Sequence, residues 1–208
     1  MRYCFVFVCQ QGELELKALL LAASLRRFLS VEHELAAALP QPESQWGCPS
    51  ERTLALLAGW GVRTLPITNP FGQDYPIGNK LACLQIETGA DKIVFMDSDM
   101  LCMRKFQGER RFEEFEINVK PADLATFGSS KEHWQRAYSS CGLLLPTTRM
   151  LATVSGELMP PYFNAGLVAA HREADLAPAW IECARAIDAD PSIPDKRPWL
   201  DQIALPVA

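Results

Sequence analysis

Lys92-Ile93-Val94-Phe95-Met96-Asp97-Ser98-Asp99-Met100-Leu101-Cys102 is the stretch on which the reading of this chain turns. Five residues without an acid run into two carboxylates one residue apart. A short, unbroken apolar run predicts a strand covered on both faces, hence the centre of a parallel α/β sheet. The acids fall at its carboxyl end, where open α/β sheets place their ligands. Two close carboxylates repel each other, and a divalent cation taking oxygen ligands from both relieves that repulsion. A metal held there could in turn grip a diphosphate. The bland alternative is that Asp97 and Asp99 end the strand and accept turn amides, which Asp does well. Neighbouring stretches have to decide.

The chain of 208 residues is long enough for one α/β domain, and 49% hydrophobic with 22% charged residues is ordinary for a globular protein. A formal net charge of −5 offers no Lys/Arg excess for a general nucleic-acid binder. No run of about twenty apolar residues marks a transmembrane helix. Met1–Cys9 has a positive start and a short apolar run, but Gln10-Gln11-Gly12-Glu13 follows instead of a small-residue cleavage site. A buried first strand is the better reading. Seven cysteines, an odd count without a Cys-x-x-Cys pair, indicate neither a disulfide framework nor a zinc site. Reduced thiols in a cytoplasmic protein fit that pattern.

Taken in order, Tyr3–Cys9 reads as a strand, Gly12 as a turn and Glu13–Leu29 as a helix with Leu14, Ala18, Leu21, Leu25 and Phe28 on one face. Gly12 belongs to no G-x-G-x-x-G series, so a Rossmann dinucleotide site is not indicated. Pro40–Ser44 marks a loop. Ser50 is a fitting N-cap for a helix to Ala58, and Val62–Ile67 reads as the next strand. Asn79–Thr88 is expected to be a helix with Asn79 at its N-cap. Lys80, one residue on, opposes the helix dipole, so it either meets a bound anion or is a solvated lysine. Arg104–Lys120 is a charged surface excursion anchored by Phe106, Phe112 and Phe115. Ala122–Phe127 is read as a strand and Ser130–Cys141 as a helix. In Tyr162–Ala170 an apolar strand is interrupted by Asn164-Ala165-Gly166, which suits either close approach of a ligand to the backbone or a β-bulge. Glu173–Ile187 and a segment opening at Trp199 complete the helices. With no repeat or composition shift, residues 1–208 are expected to form a single domain.

Four stretches now stand in order: Gly78-Asn79-Lys80-Leu81, Asp97-Ser98-Asp99, Phe163-Asn164-Ala165-Gly166 and Asp201-Gln202. This order resembles the nucleotide-diphospho-sugar transferases of GT-A fold, the glycogenin-like and lipopolysaccharide galactosyltransferase-like group. The resemblance implies a Rossmann-like α/β fold with a mixed, mostly parallel sheet flanked by helices. It implies a glycosyltransferase moving sugar from a nucleotide-diphosphate donor, a UDP-sugar first of all, to an acceptor that stays open. Asp97 and Asp99 would hold Mn²⁺ or Mg²⁺. Asn164, Ala165 and Gly166 would border the donor sugar, and Asp201 and Gln202 would lie near the reacting carbon. Asn79 and Lys80 would meet the nucleotide or phosphates, with Gln10, Gln11 and Gly12 beside the base or ribose.

One departure stands out. The group usually adds a histidine ligand well after its Asp-Gln pair, whereas this chain has only His33, His133 and His171 and stops seven residues after Asp201. Either the sequence is a C-terminally truncated form, or another group or water completes the metal sphere, or the site binds donor without efficient turnover. Two alternatives follow: a non-catalytic nucleotide-sugar-binding or partner-binding domain, and a haloacid dehalogenase-like phosphatase. The second expects Asp-x-Asp-x-Thr/Val on a first strand, and Leu101 does not supply it.

Overall fold

All six residues of β1 (Tyr3–Val8) are buried, as expected of a strand with neighbours on both edges and both faces covered. The computed structural model describes residues 1–107, 116–128 and 130–208. Phe112 and Phe115 of the expected excursion lie outside them. After β1 come α1 (Glu13–Phe28), β2 (His33–Gln41), α2 (Glu43–Trp46), α3 (Glu51–Gly59) and β3 (Val62–Thr68). Then follow α4 (Asn79–Cys83), β4 (Lys92–Met96), β5 (Ile117–Pro121), α5 (Lys131–Ser140), the short pair β6 (Met150–Leu151) and β7 (Leu158–Met159), β8 (Phe163–His171), α6 (Leu176–Ala189) and α7 (Leu200–Ala204).

Six strands form one sheet in the order β3-β2-β1-β4-β8-β5. β1 runs parallel to β2, with Tyr3 opposite His33, and parallel to β4, with Val6 opposite Phe95. β2 and β3 are parallel as well. The sheet is mixed, because β8 and β5 run antiparallel: Ala122 N–H donates to Tyr162 O at one end of the pair and His171 N–H to Glu116 O at the other. This is the mostly parallel α/β architecture the resemblance implies.

The chain divides into two compact units, Met1–Ile117 with Val168–Asp175, and Asn118–Leu167 with Leu176–Ala208. In the first, α1 lays Ala18, Leu21, Ala22 and Leu25 on Phe5, Phe7, Leu35, Val94 and Met96. Each buried leucine contributes about 1.5–3 kcal/mol. Lys92 is fully buried at the head of β4, and burial, opposed by Glu116, pulls its ammonium down to about 8. In the second unit Trp134 and Trp180 are the largest buried side chains. Trp134 packs edge-on against Phe127 and Tyr162 at 5.0 and 5.3 Å between ring centroids.

Several expected elements moved. The loop expected at Pro40–Ser44 is reduced to Pro42, because β2 runs to Gln41 and α2 begins at Glu43. The helix from Asn79 ends at Cys83 instead of Thr88: Thr88 Oγ1 donates to Glu34 Oε2 and accepts from Ala90 N, which holds the chain outside a helix. The strand read at Ala122–Phe127 is a set of turns. The strand lies just before it, at Ile117–Pro121, while Phe127 and Ala122 are buried from non-strand backbone. The last long helix begins at Leu176, after a single 3₁₀ turn at Arg172–Ala174.

Candidate active site

Asp97 follows β4 directly, and Cys9 follows β1, so the two adjacent parallel strands deliver both segments to one end of the sheet. Ser98, the middle residue of the acidic triplet, is buried and donates its hydroxyl to Val8 O at the end of β1. Met100 N–H donates to Asp97 O at 3.0 Å and closes a turn. With the serine pinned inward, its neighbours are left outward: the Asp97 side chain is 37% exposed and Asp99 lies in solvent. Sequence reasoning passed over Ser98. The signal available was a small hydroxyl residue between two acids, where an outward-facing position would tolerate anything.

Lys80 reaches into the same end. Its Nζ lies 3.4 Å from Asp97 Oδ1 and 6.0 Å from the centroid of the Phe95 ring, and its side chain is 13% exposed. Lys80 is therefore not a solvated lysine, and the anion facing it here is Asp97 of the same chain, not a bound one. The helix itself is a single short turn, so its dipole is a small consideration. Buried Cys83 stands in the field of both groups; burial, aided by the Asp97 charge, pushes its thiol up and keeps it protonated.

Asn79 does not cap α4. It adopts helical backbone angles, its side chain makes no capping bond, and the residue is buried. Its Oδ1 is buried without a hydrogen-bond partner. An acceptor left so costs about 1–3 kcal/mol, so its position asks for a donor.

Gln10, Gln11 and Gly12 follow β1. Gly12 takes a positive φ of 94° and accepts from Glu15 N at 3.1 Å, opening α1. The Gln11 side chain packs on Gly47, where any Cβ would collide with it; at φ 73° glycine is needed for the backbone as well. Glu15 ties this segment to α3: it accepts from Ser50 N at 3.0 Å, from the Ser50 hydroxyl and from Thr53 Oγ1. The two hydroxyls, Ser50 first, hold its carboxyl below the usual range.

The remaining expected residues belong to the second unit. Asn164 Oδ1 accepts from Gly166 N at 2.8 Å, an Asx turn at the start of β8, with Ala165 buried between them. Asp201 is buried in the first turn of α7, and its backbone carbonyl accepts from Trp180 Nε1 at 2.8 Å. Gln202 is half-buried. The phenol of Tyr162 is pushed up to about 12 by burial, with the Asp201 charge adding to it. So the first unit gathers Gln11, Asn79, Lys80, Asp97 and Asp99 around the ends of β1 and β4, and the second holds Asn164–Gly166 and Asp201–Gln202.

The donor set for a divalent ion is hard oxygen from two carboxylates. Among the described residues no group of three or more His, Cys, Asp or Glu side chains could hold a metal ion. Two carboxylates fit a cation whose other positions go to phosphate oxygens and water, as Mg²⁺ sites are commonly built. The acids also sit on the fourth strand, away from the first-strand position that a dehalogenase-like phosphatase needs.

A family model described as a Rhodobacterales glycosyltransferase domain matches residues 5–208. No curated protein matches the sequence. Among solved structures, mouse xyloside xylosyltransferase 1 in its apo form is similar at a TM-score of 0.51 and 16% identity, over 90% of this chain and 74% of that one. The galactosyltransferase LgtC in complex with donor and acceptor sugar analogs is similar at 0.57 and 15% identity, over 99% of this chain and 69% of that one. An active-site mutant of LgtC gives 0.56 and 15%, over 91% and 65%. At these identities the likeness is one of fold. No helix among the described residues is long and apolar enough to cross a membrane.

Proposed function

Because the chain belongs to the Rhodobacterales glycosyltransferase domain family, we propose that it moves a sugar from a nucleotide-diphosphate donor, a UDP-sugar first of all, to an acceptor, using Mn²⁺ or Mg²⁺ held by Asp97 and Asp99. The observation that carries this reading is the pinned serine. Ser98 bonded to Val8 O fixes an outward-facing acid on either side of it, at the end of a buried strand.

Departure of a nucleoside diphosphate builds negative charge on the leaving oxygens. A bound divalent ion would supply Lewis-acid neutralisation of that charge. Lys80, already beside Asp97, adds a charge-assisted hydrogen bond to a phosphate. The carboxamide oxygen of Asn79 takes an N–H or O–H of the nucleotide, which removes the cost of burying it alone. Gln10, Gln11 and Gly12 present side chains and backbone to the base or ribose. Asn164 to Gly166 border the donor sugar, and Asp201 and Gln202 serve the reacting carbon; the order of the motifs along the chain supports these last roles.

The two-carboxylate donor set favours one further reading, in which the domain binds donor and turns it over slowly. Hydrolysis of a UDP-sugar measured with Mn²⁺ and again with EDTA separates the possibilities. Metal-dependent release of UDP supports transfer chemistry. Metal-dependent UDP binding without release supports the binding domain, and neither with any nucleotide sugar contradicts the proposal.

A further inference from the structure

The opposite, amino-terminal end of the same parallel strands holds a cavity of about 560 Å³. Arg2 leads into β1, His33 and Glu34 open β2, and Arg63 opens β3; Arg26 and Trp60 come from the ends of α1 and α3. That size falls within the range of small-molecule sites.

Its charge is set by a built arrangement. Glu34, only 10% exposed, faces Arg2 Nη2 at 3.3 Å and Arg63 Nη1 at 2.8 Å, and also accepts from Thr88. Arg63 Nη2 donates to Glu87 O at 3.3 Å, so its fork is held from two sides. Arg26 lies over the Trp60 ring at 5.5 Å from its centroid. His33, also in the lining, donates from Nδ1 to Val31 O at 2.7 Å. The lining sets three guanidinium groups against one carboxylate, which Arg2 and Arg63 share. Even with Glu32, which reaches Arg2 Nε at 3.9 Å, the rim keeps a positive excess on a chain of net charge −5.

We propose that this amino-end cavity is a second ligand site, for a small phosphorylated molecule carrying a ring. The guanidinium groups suit a dianionic phosphate: Arg26 can address it with its fork, and the N–H groups that Arg2 and Arg63 do not spend on Glu32, Glu34 and Glu87 O can each add a bond. Trp60, lying under Arg26, adds an aromatic surface to the lining against which the edge of a sugar or base can rest. Glu34 is the positioning residue: it holds Arg2 and Arg63 side by side, where their own repulsion would part them.

The test is calorimetric titration of the full chain with glucose 6-phosphate, inorganic phosphate and citrate, all in EDTA so that no divalent ion supports binding at Asp97 and Asp99. Glucose 6-phosphate should bind most tightly, with inorganic phosphate and citrate each weaker by about ten-fold or more. Arg26→Gln, on an exposed helix face and in no ion pair among the described residues, should weaken glucose 6-phosphate by about ten-fold, and Lys80→Met, which removes the cation beside Asp97, should leave it unchanged. Absence of binding, equal binding of citrate, or undiminished binding in Arg26→Gln overturns the proposal. Loss of binding in Lys80→Met would place the ligand at the other end of the sheet and overturn it too. None of these outcomes bears on sugar transfer, so the two readings stand or fall separately.

Discussion

At the amino-terminal end of the parallel strands, Glu34 is shielded and answered by Arg2, Arg63 and Thr88; at the carboxyl end, Asp97 is partly exposed beside Lys80 and Asp99 stands in solvent. Among the described residues no side chain pairs with Asp99. One sheet thus carries acids of two kinds. Those at the head are neutralised from within and hold three strands together. At the tail Asp97 meets Lys80, Asp99 faces solvent, and the buried contact between them is made by Ser98. An acid's partners, more than its type, separate structure from chemistry here.

The contrast can be broken most forcefully at the head. Glu34→Gln leaves Arg2 and Arg63 facing each other without their shared carboxylate, and should cost about 2–3 kcal/mol of stability in urea denaturation while sparing UDP binding. Wild-type stability in that variant would erase the difference between the two ends. At the tail the opposite pattern is expected: Lys80→Met should weaken metal-dependent UDP binding by about 2 kcal/mol, with a much smaller change in the urea midpoint. Ser98→Ala sharpens the comparison because it touches both kinds of role. It removes the donor to Val8 O and should cost about 1.5 kcal/mol in stability, with weaker UDP binding as the flanking acids lose their anchor.

The smallest effect concerns Lys92. Its folded-state value is about 8 against 10.5 for the free side chain, so below pH 8 the fold carries the full cost of a buried ammonium. Between those values the folded state has released the proton and the unfolded state has not, and that cost fades as pH rises. Lys92→Met should therefore be more stable than wild type at pH 7 by about 1 kcal/mol, with the advantage shrinking toward pH 10. Comparing the two chains cancels the buried thiols, which act in the opposite sense. An advantage that is constant with pH would mean the amine is not desolvated.

The tail was legible in the sequence because β4 is an unbroken buried run and its acids interrupt it abruptly. The head was not. β2 contains Glu34-Leu35-Ala36-Ala37-Ala38, and alanine gives little strand signal although all three alanines are fully buried between β1 and β3. Nothing in the sequence singles out Glu34 and Arg63, since only the parallel register of β2 and β3 brings them together. Asn79 misled for a related reason: an amide before a helical pattern reads as a cap, yet here it lies inside the first turn with its oxygen buried. Thr88 and Phe127 show the same limit, as their roles are set by distant partners, Glu34 and Trp134. In the second unit Asn164 and Gly166 were visible as a motif, while the Asx bond joining them was not.

The most direct test of the central claim is titration of UDP into wild type and Asp99→Asn, each with Mn²⁺ and with EDTA, alongside urea denaturation of the metal-free proteins. The account predicts Mn²⁺-dependent binding in wild type that is lost in Asp99→Asn, with the two metal-free midpoints nearly equal, because Asp99 holds no partner among the described residues. UDP binding of equal affinity in both proteins would contradict it.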